Sequence, residues 1–414
     1  MASRPSTLPL IVAFCFANNL NQLGLATFPA LLPTFIGEWQ LSNTEAGWIN
    51  GIFFASYLTT VPVLVSLTDR MPARKIYFVS LVLISLSSLG FAFLAEGFWT
   101  AMAFRLLAGI GMAGTYMPGL KLLTDNLKAR AGDKAHSRAV AFYLANFGVG
   151  MALSFYVSGI IGTAFDWHWA FAAAAIGPMG SMILAATVLP REDPAPMEKP
   201  KTHLLDFRPV FRCRSAMAYV LAYTAHNFEL FAFRSWIVAY LAFAAASGPT
   251  GDMGWSITAI VALLNLLGLP SSVLGNELAR RFGRHRTITI IMLTSAVVAC
   301  LLGFSAHWPF WVVVGLAFLY AVTVIGDSAA ITAGVVAATP EGYAGATMAV
   351  HSCIGFMGSF AGPLMFGIVL DMTGTGAETL ALWGWAFVFI GAVATLGPLS
   401  LALLRDKKSR LRYL

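Results

Sequence analysis

The sequence predicts an all-α membrane protein: twelve transmembrane helices in two pseudo-symmetric six-helix bundles. Three observations predict it. The 414 residues are 58% hydrophobic and only 11% charged, where a soluble chain carries about 25% charged residues. Twelve apolar runs recur along the chain, each near or above the roughly 18 residues that cross a bilayer core of about 30 Å. The second half also repeats the first at an offset of about 207 residues. Ala17-Asn18-Asn19-Leu20-Asn21 returns as Ala225-His226-Asn227-Phe228-Glu229, Gly47-Trp48 as Gly254-Trp255, Pro62 as Pro270, Asp69 as Glu277 and Gly148 as Gly355.

The expected spans are 8–36, 44–66, 75–95, 99–122, 138–163, 168–189, 215–246, 254–277, 287–306, 308–337, 343–370 and 379–404. The first contains a run, 8–17, of signal-peptide length, yet Arg4 is the only basic residue before it. Asn18, Asn19, Asn21 and Gln22 follow with no small-x-small cleavage pattern, so it is read as a retained helix. The second and third spans flank the charged loop 67–75, and the fourth carries Arg105 and ends near Asp125. After the sixth, residues 191–213 hold Pro194, Pro196, Pro200 and several charges, the composition of an exposed linker. That linker divides a bundle of residues 1–190 from one of 214–405, with a basic tail at 406–414. The seventh span carries His226, Glu229 and Arg234, and the tenth Asp327. In the eleventh, Gly358 and Gly362 allow close helix contact, Pro363 a kink, and His351 reads as a packing or interhelical hydrogen-bond residue.

The net charge of +7 would suit nucleic acid in a soluble protein, but its placement excludes that reading. Lys and Arg fall in 70–75, 121–138, 191–214, 280–286 and 405–412, while the alternate connections contain none. With an even number of spans, both termini and every basic loop lie on one side, which the positive-inside rule makes the cytoplasm of a plasma (inner) membrane protein. Anionic lipid is the expected partner of that face. Cys15, Cys213, Cys300 and Cys353 are scattered, with no metal-ligand or disulfide spacing. No Gly-Lys-Ser/Thr loop, HExxH or GxSxG occurs, so no enzyme, cofactor or metal is expected. In so apolar a chain, half-to-half repetition points instead to a secondary transporter, and this architecture needs no second copy.

Ionisable side chains inside a span are costly and by default functional. Arg105, His226, Glu229, Arg234 and Asp327 are such groups, and Asn18, Asn21 and Gln22 share one face of the first span at helical spacing. His226 and Glu229, three apart, also share a face, with Glu229 near mid-membrane. Desolvation there disfavours a charged carboxylate, which makes Glu229, with His226 and Asp327, the candidate proton-coupling set. A static pair of Arg105 with Glu229 or Asp327 is the alternative. Two guanidinium groups, Arg105 and Arg234, would suit a small anion, although Arg234 could instead snorkel to the interface.

Leu67-Thr68-Asp69-Arg70-Met71-Pro72-Ala73-Arg74-Lys75 resembles the loop signature of the major facilitator superfamily, departing at both glycines. Asn276-Glu277-Leu278-Ala279-Arg280-Arg281-Phe282-Gly283 is its second-half counterpart, Arg105-Leu106-Leu107-Ala108-Gly109-Ile110-Gly111 is similar to the fourth-span motif, and Trp167-His168-Trp169-Ala170-Phe171 to the motif before the sixth. The resemblance implies that spans one, four, seven and ten line a central cavity. It also implies that Asp69, Arg70, Arg74, Lys75, Asp125, Glu277 and Arg281 form cytoplasmic gating contacts. Substrate contact is expected at Asn18, Asn21, Gln22, Arg105, His226, Glu229, Arg234 and Asp327. The expected activity is proton-coupled transport of a small anionic solute by alternating access. Export of drugs or other neutral or cationic molecules, and a transporter-like sensor without flux, remain alternatives.

Overall fold

The computed structural model describes residues 8–68, 70–131, 140, 142, 143, 146–189, 207–249, 254–372 and 379–404. Arg4, Asp69, most of the linker (190–206) and the tail from 405 lie outside them. Every described element is a helix, and eleven described stretches are long and apolar enough to cross a membrane.

The first span departs from the expected single helix. It consists of α1 (Leu8–Asn21), α2 (Thr27–Ala30) and α3 (Leu32–Trp39). Proline has no N–H and cannot donate to the carbonyl four residues back. Pro29 therefore frees Leu25 O, and Pro33 frees Pro29 O. The chain turns through Gln22–Leu25 around Gly24.

The other spans follow in order: α4 (Asn43–Leu67), α5 (Ala73–Leu94), α6 (Phe98–Ala131), α7 (Phe147–Ala164) and α8 (Trp167–Val188). The Asp166 side chain caps α8 by accepting from Trp169 N. A short α9 (Arg208–Arg212) precedes α10 (Arg214–Ser247). The eighth span is α11 (Ile257–Leu266) plus α12 (Gly268–Phe282), the ninth α13 (Arg284–Gly303), and the tenth α14 (Phe310–Gly326) plus α15 (Ser328–Ala337). The eleventh is α16 (Ala344–Asp371), and the twelfth α17 (Thr379–Ala394) plus α18 (Leu396–Leu403).

Two compact units form: Met1–Leu31 with Ala55–Lys199 and Val261–Leu266, and Leu32–Phe54 with Pro200–Ile260 and Leu267–Leu414. In the first, α5 packs on α6 and α8, and α1 on α8 and α7. Its core includes Leu10, Phe14, Tyr77, Leu81 and Leu123. In the second, α10 is the hub, packed by α14, α15, α16, α17 and α18. Such surroundings explain why α10 is apolar on nearly every side. On α13, by contrast, Ile288, Met292 and Ala299 are buried while Ile290, Leu293, Val297 and Leu301 are exposed. A helix apolar on both faces suits a neighbour of lipid rather than of water.

The first half of α4 belongs to the second unit, where glycines bring it onto α16. A Cβ at Gly47 would stand 2.7 Å from Pro363 O, and one at Gly51 2.8 Å from Phe360 O. At the start of α4, the Asp371 carboxylate accepts from Asn43 N (3.1 Å), Asn43 Nδ2 (2.9 Å) and Thr44 N (2.7 Å). The first N–H groups of a helix lack intrahelical partners and carry partial positive charge, so a carboxylate from α16 serves as the cap of α4. Asp371→Ala is expected to cost about 1 kcal/mol, read as a lower thermal midpoint. A midpoint equal to wild type would show that water replaces the cap at no cost.

Candidate functional site

In the first unit the polar groups gather where α1 ends. The freed backbone of the break is satisfied by neighbouring helices. Arg105 Nη1, from α6, donates to Leu25 O at 3.3 Å. Ala26 N donates to Ser154 Oγ at 2.8 Å, and Ser154 Oγ donates to Leu23 O at 2.6 Å. Thr27 Oγ1 shares a hydrogen bond with Ser158 Oγ at 2.9 Å. Non-helical backbone at membrane depth persists only where protein or a cavity satisfies it, and α6 and α7 do so here.

The side chains beside the break are treated differently. Asn21 Nδ2 donates to Thr115 Oγ1 at 2.8 Å, but Asn21 Oδ1, both polar atoms of Asn18 and both of Gln22 are buried without a hydrogen-bond partner among the described residues. Asn21, Asn18 and Gln22 are 4%, 1% and 0% exposed. Asn19, on another face, forms a reciprocal amide pair with Asn146, at 2.7 and 3.2 Å.

In the second unit, His226 Nδ1 lies 2.8 Å from Asp327 Oδ1, both side chains almost wholly buried. The contact has ion-pair distance without hydrogen-bond alignment, since neither atom has a hydrogen-bond partner. Asp327 is the single residue between α14 and α15. Ala329 N at the start of α15 donates to Ser272 Oγ of α12 at 3.2 Å. Tyr223, one turn before His226, stacks on it at 5.7 Å and lies 4.0 Å from the His351 ring. His351, read from sequence as a packing or interhelical hydrogen-bond residue, thus adjoins the titratable cluster. Asn227 Nδ2 and His351 Nδ1 are buried and have no hydrogen-bond partner among the described residues.

Glu229 Oε1 accepts from Ser295 Oγ (2.7 Å) and Tyr320 OH (3.0 Å). Within the second unit, the contacts of the two buried carboxylates include Ser295 and Tyr320 for Glu229 and His226 for Asp327. Arg234 is 7% exposed, with its guanidinium 5.4 Å from the Phe231 ring centroid.

Of the gating set, Asp69 lies outside the described residues. Asp125 meets Lys121 at 3.0 Å and Glu277 meets Arg280 at 3.1 Å, so the partners of these carboxylates are one turn away on their own helices. The exposed Glu277–Arg280 pair contributes about 0–1 kcal/mol. Arg74 and Arg281 lie over the rings of Phe78 and Phe282, each at 5.3 Å, while Arg70 and Lys75 are exposed.

The sequence reading missed Thr115, Ser154, Tyr223, Ser295 and Tyr320. Tyr223 had a signal, three residues before His226 on the same helical face. Ser295 and Tyr320 had none, because only packing of α13 and α14 against α10 brings them to Glu229.

Comparison with known proteins gives the fold a family context. A family model described as Major Facilitator Superfamily matches residues 14–326 and 240–412. Human protein spinster homolog 1 is 28% identical over 249 residues, 57% of this chain and 46% of that protein. The Drosophila melanogaster protein spinster is 25% identical over 287 residues, 66% of this chain and 46% of its own. The chain thus spans about half the length of these curated relatives. A bacterial homolog of the human lysosomal transporter Spinster, solved inward-facing and occupied, aligns with a TM-score of 0.71 at 17% identity, covering 97% of this chain and 96% of that one. The nucleoside transporter NupG aligns at 0.73 and 12% identity, covering 95% and 98%.

Proposed function

The chain belongs to the major facilitator superfamily, and from that premise we propose that it moves a small solute by alternating access, coupled to protons at His226 and Asp327. The observation that carries the coupling is the 2.8 Å contact between these two buried side chains at the interruption of the tenth span. A proton on the imidazole makes the contact an ion pair; its loss leaves a carboxylate desolvated beside a neutral ring. That difference is costly enough to bias the packing of α10 against α14 and α15. Glu229, held by two hydroxyl groups on the same helix as His226, is the neighbouring site for the same proton.

In this reading, residues 1–190 and 214–405 are the bundles that rock against each other. The protein works as a monomer in the plasma (inner) membrane, with both termini and the basic loops facing cytoplasm and anionic lipid. Both arginines that would suit an anionic solute have protein contacts, Arg105 with Leu25 O and Arg234 with the Phe231 ring.

The test is solute-evoked proton movement in proteoliposomes, followed with an internal pH dye. Asp327→Asn and His226→Gln are expected to remove proton movement while leaving solute exchange. Proton movement at the wild-type level in both variants would overturn the coupling site.

A further inference from the structure

We infer that Asn18, Asn21 and Gln22 form a recognition site for an uncharged solute that carries both hydrogen-bond donors and acceptors, such as a polyhydroxylated or amide-bearing molecule. The inference rests on the transport reading above and adds the chemistry of the cargo. It stands on a contrast within one unit. At the break in the first span, the backbone groups have partners from α6 and α7: Leu25 O from Arg105, Ala26 N and Leu23 O from Ser154. Among the described residues, three carboxamides beside that break retain five unpartnered polar atoms, although each residue is at least nine-tenths buried. An amide needing only structural satisfaction would resemble Asn19, which is paired with Asn146 from both ends.

Buried polar atoms without partners are costly, and interrupted helices are where transporters of this architecture type hold solutes. The unpartnered atoms define the complement. Asn18 Oδ1, Asn21 Oδ1 and Gln22 Oε1 require donors, while Asn18 Nδ2 and Gln22 Nε2 require acceptors. A carboxylate or phosphate ester accepts only, and would leave three carbonyl oxygens unpaired against its negative charge. An ammonium group donates only, and would leave the amide N–H groups unpaired. Hydroxyl groups, and the edge of an amide or imide, do both. A site built to hydrogen-bond its ligand rejects an analogue lacking those groups far more strongly than an apolar pocket does.

The test is thermal stabilisation of the purified full-length protein by matched probes: glucose and glucuronate, uridine and uridine monophosphate, glycerol and glycerol phosphate. At least one neutral member is expected to raise the midpoint, and its anionic counterpart is not. Asn18→Leu and Gln22→Leu are expected to weaken that binding roughly tenfold or more. Each should also leave the unliganded protein equal to or more stable than wild type, because an unpaired buried amide is removed. Stabilisation by the anionic member of every responsive pair, or by no neutral probe, overturns the inference. So does loss of unliganded stability in both Leu variants, which would mark the amides as structural. Neutral-probe binding that persists without any flux in liposomes overturns the transport reading instead, and leaves the carboxamide site standing.

Discussion

Arg105→Ala is expected to destabilise the protein and to loosen the turn that divides the first span. Arg105 is 3% exposed and donates through Nη1 to Leu25 O, the carbonyl that Pro29 leaves without its helical donor. A hydrogen bond from a charged donor contributes about 1.5–3 kcal/mol, and an unpaired buried carbonyl costs about 1–3 kcal/mol. Removing a buried charge offsets part of this, so the net loss should remain at or above about 1 kcal/mol. Amide exchange over residues 22–26 should accelerate in the variant. Pro29→Ala supplies an N–H that can reach Leu25 O, so Arg105→Ala should be milder in that background. The double-mutant cycle should return a coupling of about 0.5–3 kcal/mol. Equal effects in both backgrounds, with unchanged exchange at 22–26, would mean that Arg105 does not anchor the break and would return it to solute contact.

A comparably large effect is expected where α10 and α16 touch. A Cβ at Gly358 would run into Thr224 O, and one at Gly362 into Phe228 O. Both obstacles are backbone atoms, so no side chain can swing aside. Alanine in place of a mid-helix glycine ordinarily gains about 1 kcal/mol, whereas overpacking costs about 1–3 kcal/mol or more. The clash should win at both positions. Because α10 carries His226 and Glu229 while α16 carries His351, separation of the helices should reduce transport along with the thermal midpoint. Gly315 on α14 provides the control: it is exposed, and a Cβ placed there would meet no atom within 4 Å. Gly315→Ala should therefore be neutral or slightly stabilising. If Gly362→Ala proves as harmless as Gly315→Ala, the seam is looser than its geometry implies.

The repeat gives these sites a shared logic. Asn18 and Asn21 in the first half correspond to His226 and Glu229 in the second. Amides occupy the first set, and titratable groups the second. Under the proposed functions, duplication supplied two equivalent positions, one taken by cargo recognition and the other by proton coupling.

Much of this was legible in the chain itself. Apolar runs of bilayer length leave little choice but helices, because every backbone polar group in lipid must be satisfied within its own segment. The buried charges and amides were visible for the same reason: a side chain such as Asp327 or Glu229 stands out against apolar neighbours wherever the helix is placed. Local sequence did not decide where helices break. Pro62, Pro118, Pro178 and Pro363 all lie inside continuous helices, yet the chain turns just before Pro29.

The sequence by itself thus determined the number and character of the spans, the duplication and the identity of the polar groups within the apolar runs. Only the tertiary structure decided their partners: Arg105 with a backbone carbonyl, Glu229 with two hydroxyls, His226 with Asp327, and three amides whose five remaining polar atoms have none among the described residues. Burial in lipid follows from composition, one segment at a time. A hydrogen-bond partner is supplied by whichever helix packs alongside, and in this chain that helix is often about 60 to 130 residues away.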